Sequence, residues 1–375
     1  MGETAAVEIA RVDVYEYAVT YVGGRFELSG GRVVESLPST VVRLTADDGT
    51  VGFGETCPLG SAYLPGHSAG AQAALRELAP DVLHLDPREV AVVNEVMDTR
   101  LLGHGYAKSA IDVACWDLAG KAAGVPVCVL LGGRTLDSYP LYQAVSLGAP
   151  EEMAAEVERL RATGVRQFQL KLGTAPREDA ERVRAVLECI GDDDLVIADA
   201  NGAWRAQDAV VAARLLDGYE RVYLEQPCPT LEECLYVRRL TRLPMVLDEV
   251  ISDVSTLLRA HQAGAMDAIN LKISKVGGLT RARQLRDLCE TLGLSLTIED
   301  TWGGDIATAA VSHLAASTSR RGLFSVSFIN DFVNEHVAGY RPRSVESVGA
   351  APDGEGLGIE VDVDLLGAPV FSVAQ

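Results

Sequence analysis

The strongest constraint on the fold lies in the middle of the chain, where short apolar runs alternate with amphipathic stretches. Eight runs follow one another: LYQAVSL, RQFQLKLG, DLVIADAN, RVYLEQP, PMVLDE, DAINLKIS, LSLTIED and GLFSVSF. Helical segments such as PEEMAAEVERLRATG, REDAERVRAVLECIG and LTRARQLRDLCETLG separate most neighbours. A strand followed by a helix, repeated to that number, predicts a parallel α/β barrel. Charge placement sharpens the reading. Lys171, Asp199, Glu225, Asp248 and Lys272 each end a run, at intervals of 28, 26, 23 and 24 residues. One ionisable group per β-α unit puts all five on the C-terminal face of a (β/α)8 barrel, where such folds build their sites. A doubly wound open sheet is the competing architecture, and it gives no reason for a charge after five successive strands.

At 375 residues the chain has room for more than the barrel. Ahead of it, VDVYEYAV and STVVRLTADDGTVGFGE alternate β-branched and polar residues, with a hairpin signal at Asp48-Gly49. The glycine-rich YVGGRFELSGGRV between them reads as a flexible loop. Residues 67–122 read as helices, the clearest being AKSAIDVACWDLAGKAAG, stopped by Gly124-Val125-Pro126. The tail, GAAPDGEGLGIEVDVDLLGAPV, returns to turns and strand. Expected divisions are an α+β unit over 1–130, the barrel over 131–340, and a segment over 341–375 that returns to the first unit.

Lys and Arg number 33 against 53 Asp and Glu, a net charge of −20, which repels polyphosphate and anionic lipid and argues against nucleic-acid and membrane partners. Val125–Leu131 is too short to span a bilayer. The N-terminus shows no secretory leader, and Ala6 stands where a myristoylation signal following Met1-Gly2 wants Ser or Thr. Seven cysteines, odd in number and without a C-x-x-C spacing, fit reduced thiols in a cytoplasmic protein. Cys57, in the segment GETCPLG, is the one outside a regular element.

Three acids at the mouths of consecutive strands, Asp199, Glu225 and Asp248, make a hard-oxygen set suited to Mg²⁺, one ion per chain. Anions packed that closely repel unless a divalent cation joins them. Lys171 and Lys272 flank the trio, one strand before and one after, so they approach a central substrate from opposite sides. A lysine whose pKa is lowered by neighbouring positive charge acts as a base. Two of them suit removal of a proton from one face of a carbon and its return to the other. His261 and His313 fall on expected helices and read as surface or packing residues.

These segments resemble the enolase superfamily, in its muconate lactonizing enzyme-like branch. The likeness rests on Asp199-Ala-Asn201, Tyr223-Leu-Glu-Gln-Pro227, Leu247-Asp-Glu249 and Asn270-Leu-Lys-Ile-Ser-Lys-Val-Gly-Gly278. Ala110-Ile-Asp-Val-Ala-Cys-Trp-Asp-Leu118, Leu130-Leu-Gly-Gly133 and Pro352-Asp-Gly-Glu-Gly-Leu-Gly358 extend it over nearly the whole chain. The resemblance implies an N-terminal α+β capping domain over a modified (β/α)8 TIM-type barrel, Mg²⁺ on Asp199, Glu225 and Asp248, Lys171 and Lys272 as the acid/base pair, and a homo-oligomer. One departure is Gln169-Leu-Lys171, where the family commonly has Lys-x-Lys; Gln169 and Glu249 are candidates for electrostatic support. No histidine ends the seventh strand, Ile298-Glu299-Asp300, as the mandelate racemase branch would require.

Gly54–Gly60 with Tyr63-Leu-Pro65, and Glu299–Ile306, are similar to a subgroup that epimerises hydroxyproline or proline betaines or dehydrates cis-3-hydroxy-L-proline. The substrate expected is therefore a small carboxylate of the proline type, losing its α-proton through an enediolate. Tyr63 and Trp302 offer aromatic faces to a cation, Asp300 or Asp305 a carboxylate to a ring ammonium, and Asn201 a further contact. Trp302 read instead as rim packing is the plain alternative. Competing functions are another amino-acid or dipeptide epimerase or cycloisomerase, a Schiff-base barrel using either lysine, and a non-catalytic ligand-binding barrel.

Overall fold

The structure, a computed structural model, describes residues 7–375; the Met1-Gly2 and Ala6 readings lie outside the described residues. A four-stranded antiparallel sheet underlies the chain's first unit, three of its strands coming from the start of the chain and one from the tail. β1 (Ile9–Thr20) pairs with β4 (Ser36–Ala46), which turns at Asp48-Gly49 into β5 (Val51–Thr56). Between β1 and β4, β2 (Phe26–Leu28) and β3 (Arg32–Val34) form a small hairpin. This corrects the flexible-loop reading. Gly30 and Gly31 supply the turn with φ of 69° and 75°, and Phe26 and Leu28 alternate inward and are buried.

Three helices cover the sheet: α1 (Ser68–Val82), α2 (Val90–Arg100) and α3 (Gly105–Ala123). α3 is buried on nearly every side because it lies between β5 and the barrel. Its approach to β5 is possible only against glycine. A Cβ on Gly54 would stand 2.0 Å from the Ala110 carbonyl, and one on Gly52 2.4 Å from that of Ala114.

After a turn, α4 (Val127–Leu130), and a two-residue strand, β6 (Tyr139–Pro140), the barrel begins. Its strands are β7 (Gln143–Val145), β8 (Gln167–Lys171), β9 (Leu195–Asp199), β10 (Val222–Glu225), β11 (Met245–Leu247), β12 (Ala268–Lys272), β13 (Ser295–Glu299) and β14 (Leu323–Val326). They pair in sequence order and in parallel, one for each of the eight apolar runs. Between the end strands, the Tyr142 amide donates to the Val326 carbonyl at 2.9 Å. Crossover helices are α5 (Pro150–Ala162), α6 (Pro176–Cys189), α7 (Ala206–Leu216), α8 (Leu231–Arg238), α9 (Val254–Gln262), the single turn α10 (Ile273–Val276) with α11 (Leu279–Leu292), and α12 (Asp305–Ala316). Proline at the first position and acids in the first turn start α5 and α6, as the helix dipole favours. Among the described residues no helix of that kind follows β14, so the barrel is modified at its eighth unit. The chain continues through β15 (Val348–Gly349), which pairs with β6, and the turn α13 (Val363–Leu366), to β16 (Phe371–Ala374), which pairs with β1.

Two buried carboxylates stitch the cap to the barrel. Glu55 on β5 accepts from the amides of Gly304 and Ala307, both at 2.9 Å, and so caps α12. Asp112 on α3 accepts from the Thr280 amide at 3.1 Å and from Asn94 at 2.6 Å. All seven cysteines are free; Cys57 is fully buried and burial pushes its thiol well up, which leaves no reactive thiolate there. No helix among the described residues is long and apolar enough to cross a membrane.

Candidate active site

Regular strands explain where the five charged residues stand. Lys171, Asp199, Glu225 and Lys272 are the last residues of β8, β9, β10 and β12, and Asp248 follows β11 directly. Register places Lys171 beside Asp199 and Asp199 beside Glu225. β8 and β12 are the second and sixth strands of eight, so the two lysines stand on opposed sides of the mouth. Both line one cavity, which Phe26 and Leu28 of the β2–β3 hairpin, Leu59 and Tyr63 also line.

Each lysine rests on an acid. Lys171 Nζ donates to Asp199 at 2.6 Å, and Lys272 Nζ to Asp248 at 2.6 Å. Lys275, not singled out in the sequence, donates to the other Asp248 oxygen at 2.7 Å. Burial alone would lower Lys171, but the charges of Asp199 and Glu225 raise it. Lys272, also lowered by burial, is raised further, by Asp248, Tyr63 and Glu299. In this arrangement the nearest charges are carboxylates, and they hold the ammonium form; the depressed lysine is the expectation for a site that holds a divalent cation. Burial works against the Asp248 carboxylate, yet Lys272 and Lys275 hold it well below the usual range. Glu225 goes the other way, pushed well up by burial and by the charges of Asp199 and Asp248.

Neutral donors complete the floor. Gln169 Nε2 donates to Glu225 at 2.8 Å, and Asn270 Nδ2 to the other Glu225 oxygen at 2.9 Å and to Glu299 at 2.6 Å. Tyr142 donates to Glu299, which lies 3.4 Å from Lys272. Asn201 sends its amide N–H to Asp199 at 2.8 Å and its side chain to Glu249 at 3.1 Å. Glu249 is pushed up to about 7, by burial first and then by Asp248 and Asp199. Tyr63 bonds Asp248 at 2.9 Å and accepts from Lys272, so its hydroxyl meets the charged floor as its ring meets the cavity.

Asp300 lines the cavity, but its oxygens accept from the amides of Ser274 and Thr301 at 3.0 and 2.7 Å, and burial pushes its carboxyl up to about 6. Asp305 does not line it. It is buried, accepting from Asn330 at 2.9 Å and from the Ala338 amide at 2.8 Å, which removes it as a partner for a ring ammonium. Trp302 both lines the cavity and packs, its ring 6.2 Å from Phe26, 6.5 Å from Tyr21 and 6.3 Å from Phe332. Tyr142, Asn270 and Glu299 went unassigned in the sequence, although Asn270 lies on the strand of Lys272 and Glu299 ends the next one. Tyr142 precedes a strand that ends without a charge, and nothing in the pattern marks it.

The donor set fits a hard divalent cation: three carboxylates from consecutive strands, oxygen ligands only, with the mutual repulsion at Glu225 that such an ion relieves. Among the described residues no three metal-binding side chains already converge, and ammonium groups lie against Asp199 and Asp248.

A barrel with acids and opposed lysines at its C-terminal mouth, under an α+β cap, defines a class of enzymes that rearrange carboxylates. Residues 26–132 match the mandelate racemase/muconate lactonizing enzyme N-terminal domain, and residues 152–365 match the enolase C-terminal domain-like family. The chain belongs to the mandelate racemase/muconate lactonizing enzyme family of the enolase superfamily, and it is an enzyme of that type. It is 46% identical to a cis-3-hydroxy-L-proline dehydratase from Roseibium aggregatum, over 97% of this chain and 99% of that one. An N-succinyl-L-Arg/Lys racemase from Bacillus cereus is 29% identical, over 88% and 89%. A solved enolase superfamily member from Roseovarius nubinhibens ISM, complexed with magnesium, is similar with a TM-score of 0.91 and 35% identity, over 99% and 100% of the two chains.

Proposed function

We propose that the protein dehydrates cis-3-hydroxy-L-proline or a close proline derivative, taking the proton α to the carboxylate, with Mg²⁺ held by Asp199, Glu225 and Asp248. The observation that carries this reading is the pair Lys171 and Lys272, on strands four apart and lining one cavity. Bound at the three acids, Mg²⁺ supplies stabilisation of the negative charge that grows on the substrate's carboxylate oxygens. Asp199 and Asp248, once engaged by such an ion, would hold the lysine ammonium forms less strongly, which the base needs in order to be neutral.

Stereochemistry then does the rest. In the cis substrate the hydroxyl and the carboxylate share a ring face, so the α-hydrogen lies on the face opposite the hydroxyl. Lys171 takes the α-proton. The C–H electron pair becomes the ring double bond, the C3–O bond breaks, and Lys272 protonates the departing oxygen so that it leaves as water. The resulting enamine tautomerises to Δ¹-pyrroline-2-carboxylate. Phe26, Leu28, Leu59 and Trp302 surround the ring methylenes and exclude bulk water. The similarity to the Roseibium dehydratase supports this over epimerisation, which the same pair of lysines performs when the proton returns to Cα.

Incubation with cis-3-hydroxy-L-proline and Mg²⁺ in D₂O, followed by NMR, tests the proposal. Formation of Δ¹-pyrroline-2-carboxylate is expected. Inversion at Cα without water loss assigns epimerisation instead, and absence of Cα exchange in every proline derivative and betaine overturns the substrate class. Lys171→Ala is expected to lower turnover by at least about 10³-fold, the usual scale for a lost general base.

A further inference from the structure

A second cavity lies behind the first. It lies half open to solvent between the end of β1, α5 and the segment after β14, with Tyr21, Glu156, Arg159, Asp331, Tyr340 and Glu346 on its walls. Ala144 and Phe332 are the residues common to both cavities. Ala144 contributes a methyl group, so the partition is in substance the Phe332 ring. That ring belongs to the aromatic cluster around Trp302, and its backbone is pinned to the cap: the Phe332 carbonyl accepts from the Val22 amide at 3.0 Å. The two cavities differ in chemistry. The inner one is ringed by aromatic and aliphatic groups over a charged floor, whereas the outer one is polar. Its cation, Arg159, is already paired with Glu156, hydrogen-bonding it at 2.8 Å, while Glu346 and Asp331 add negative charge. One Asp331 carboxylate oxygen is buried without a hydrogen-bond partner.

We propose that Phe332 is the specificity-determining partition that confines substrates to a compact ring, and that the acidic cavity behind it receives an amine-bearing extension once the ring is removed. The inference rests on the proline-type reading of the site and adds its size limit and the residue that sets it. A pocket wall discriminates by steric exclusion, and its removal leaves the remaining contacts to the smaller ligand in place.

Calorimetric titration in the presence of Mg²⁺ tests this with L-proline, N-propyl-L-proline and N-(3-aminopropyl)-L-proline, using wild type, Phe332→Ala and the milder Phe332→Leu. Wild type is expected to bind L-proline and to bind both extended ligands at least about tenfold more weakly. Phe332→Ala is expected to bind the aminopropyl ligand at least about tenfold more tightly than wild type does, and more tightly than it binds the propyl ligand. Phe332→Leu, which keeps more of the packing, is expected to fall between. Discrimination unchanged from wild type in either folded variant overturns the partition, and propyl and aminopropyl ligands bound alike overturn the acidic subsite. A wild type that binds L-proline together with both extended ligands also overturns the partition. A wild type that binds no proline ligand refutes the substrate reading itself, a result distinct from all of these.

Discussion

Gln226 stands one residue after Glu225 with φ of 32°, in the left-handed region that a side chain adopts only at a cost. What it gains is position. Its side-chain oxygen accepts from the Asp248 amide at 2.9 Å, its nitrogen donates to the Cys228 carbonyl at 2.9 Å, and its own carbonyl accepts from Gly202 at 2.8 Å. One residue thus ties together the loops that carry Asp199, Glu225 and Asp248. Gln226→Ala is expected to weaken Mg²⁺ binding by about tenfold, roughly 1.4 kcal/mol, as measured by calorimetry, while circular dichroism stays that of wild type. Unaltered Mg²⁺ affinity would reduce Gln226 to a loop brace. Gln169 and Gln226 together hold Glu225 and Asp248 with neutral amides. The sequence disclosed the acids, because charge at the end of an apolar strand stands out, and it hid Gln226, because an amide in a turn carries no such contrast.

At the scale of elements, legibility followed periodicity. The eight barrel strands are short, and each carries apolar residues at strand spacing or in a run, so each stood out from the amphipathic helix beside it. α3 was legible as an amphipathic helix, but not for its place, since it is buried on nearly every side, Lys108, Asp112 and Asp117 included. The β2–β3 hairpin was missed because its glycines, which read as flexibility, are spent on one tight turn. Glycine means something different on β5, where Gly54 admits the backbone of α3. Gly54→Ala is expected to force the strand and helix apart and to destabilise the cap by about 3 kcal/mol, the upper range for overpacking a buried contact. Chemical denaturation reads the loss directly. A change under about 0.5 kcal/mol would mean that the contact relaxes without effort.

Across the whole molecule, cap, barrel and tail meet at His313 on α12, which the sequence left as a surface or packing residue and which is fully buried. Its Nδ1 accepts from the Cys128 amide at 3.3 Å, just before the barrel, and its Nε2 donates to the Leu357 carbonyl at 3.0 Å, in the returning tail. Only a neutral ring with its proton on Nε2 makes both bonds. A second proton would face the Cys128 N–H inside the core, and burial accordingly lowers the group from 6.5 to about 4. Because the unfolded chain takes up that proton near pH 6.5 and the folded one only near pH 4, the stabilisation is complete above pH 6.5 and is lost as the pH falls between those values. The two values differ by an amount worth about 3 kcal/mol. His313→Gln, which keeps an acceptor and a donor but cannot titrate, is expected to be less stable than wild type at pH 7.5. It is also expected to lose about 3 kcal/mol less than wild type on acidification to pH 4. Urea denaturation of both proteins at a series of pH values measures that difference; parallel curves would mean that the junction does not sense the proton, and that acid unfolding begins at other groups.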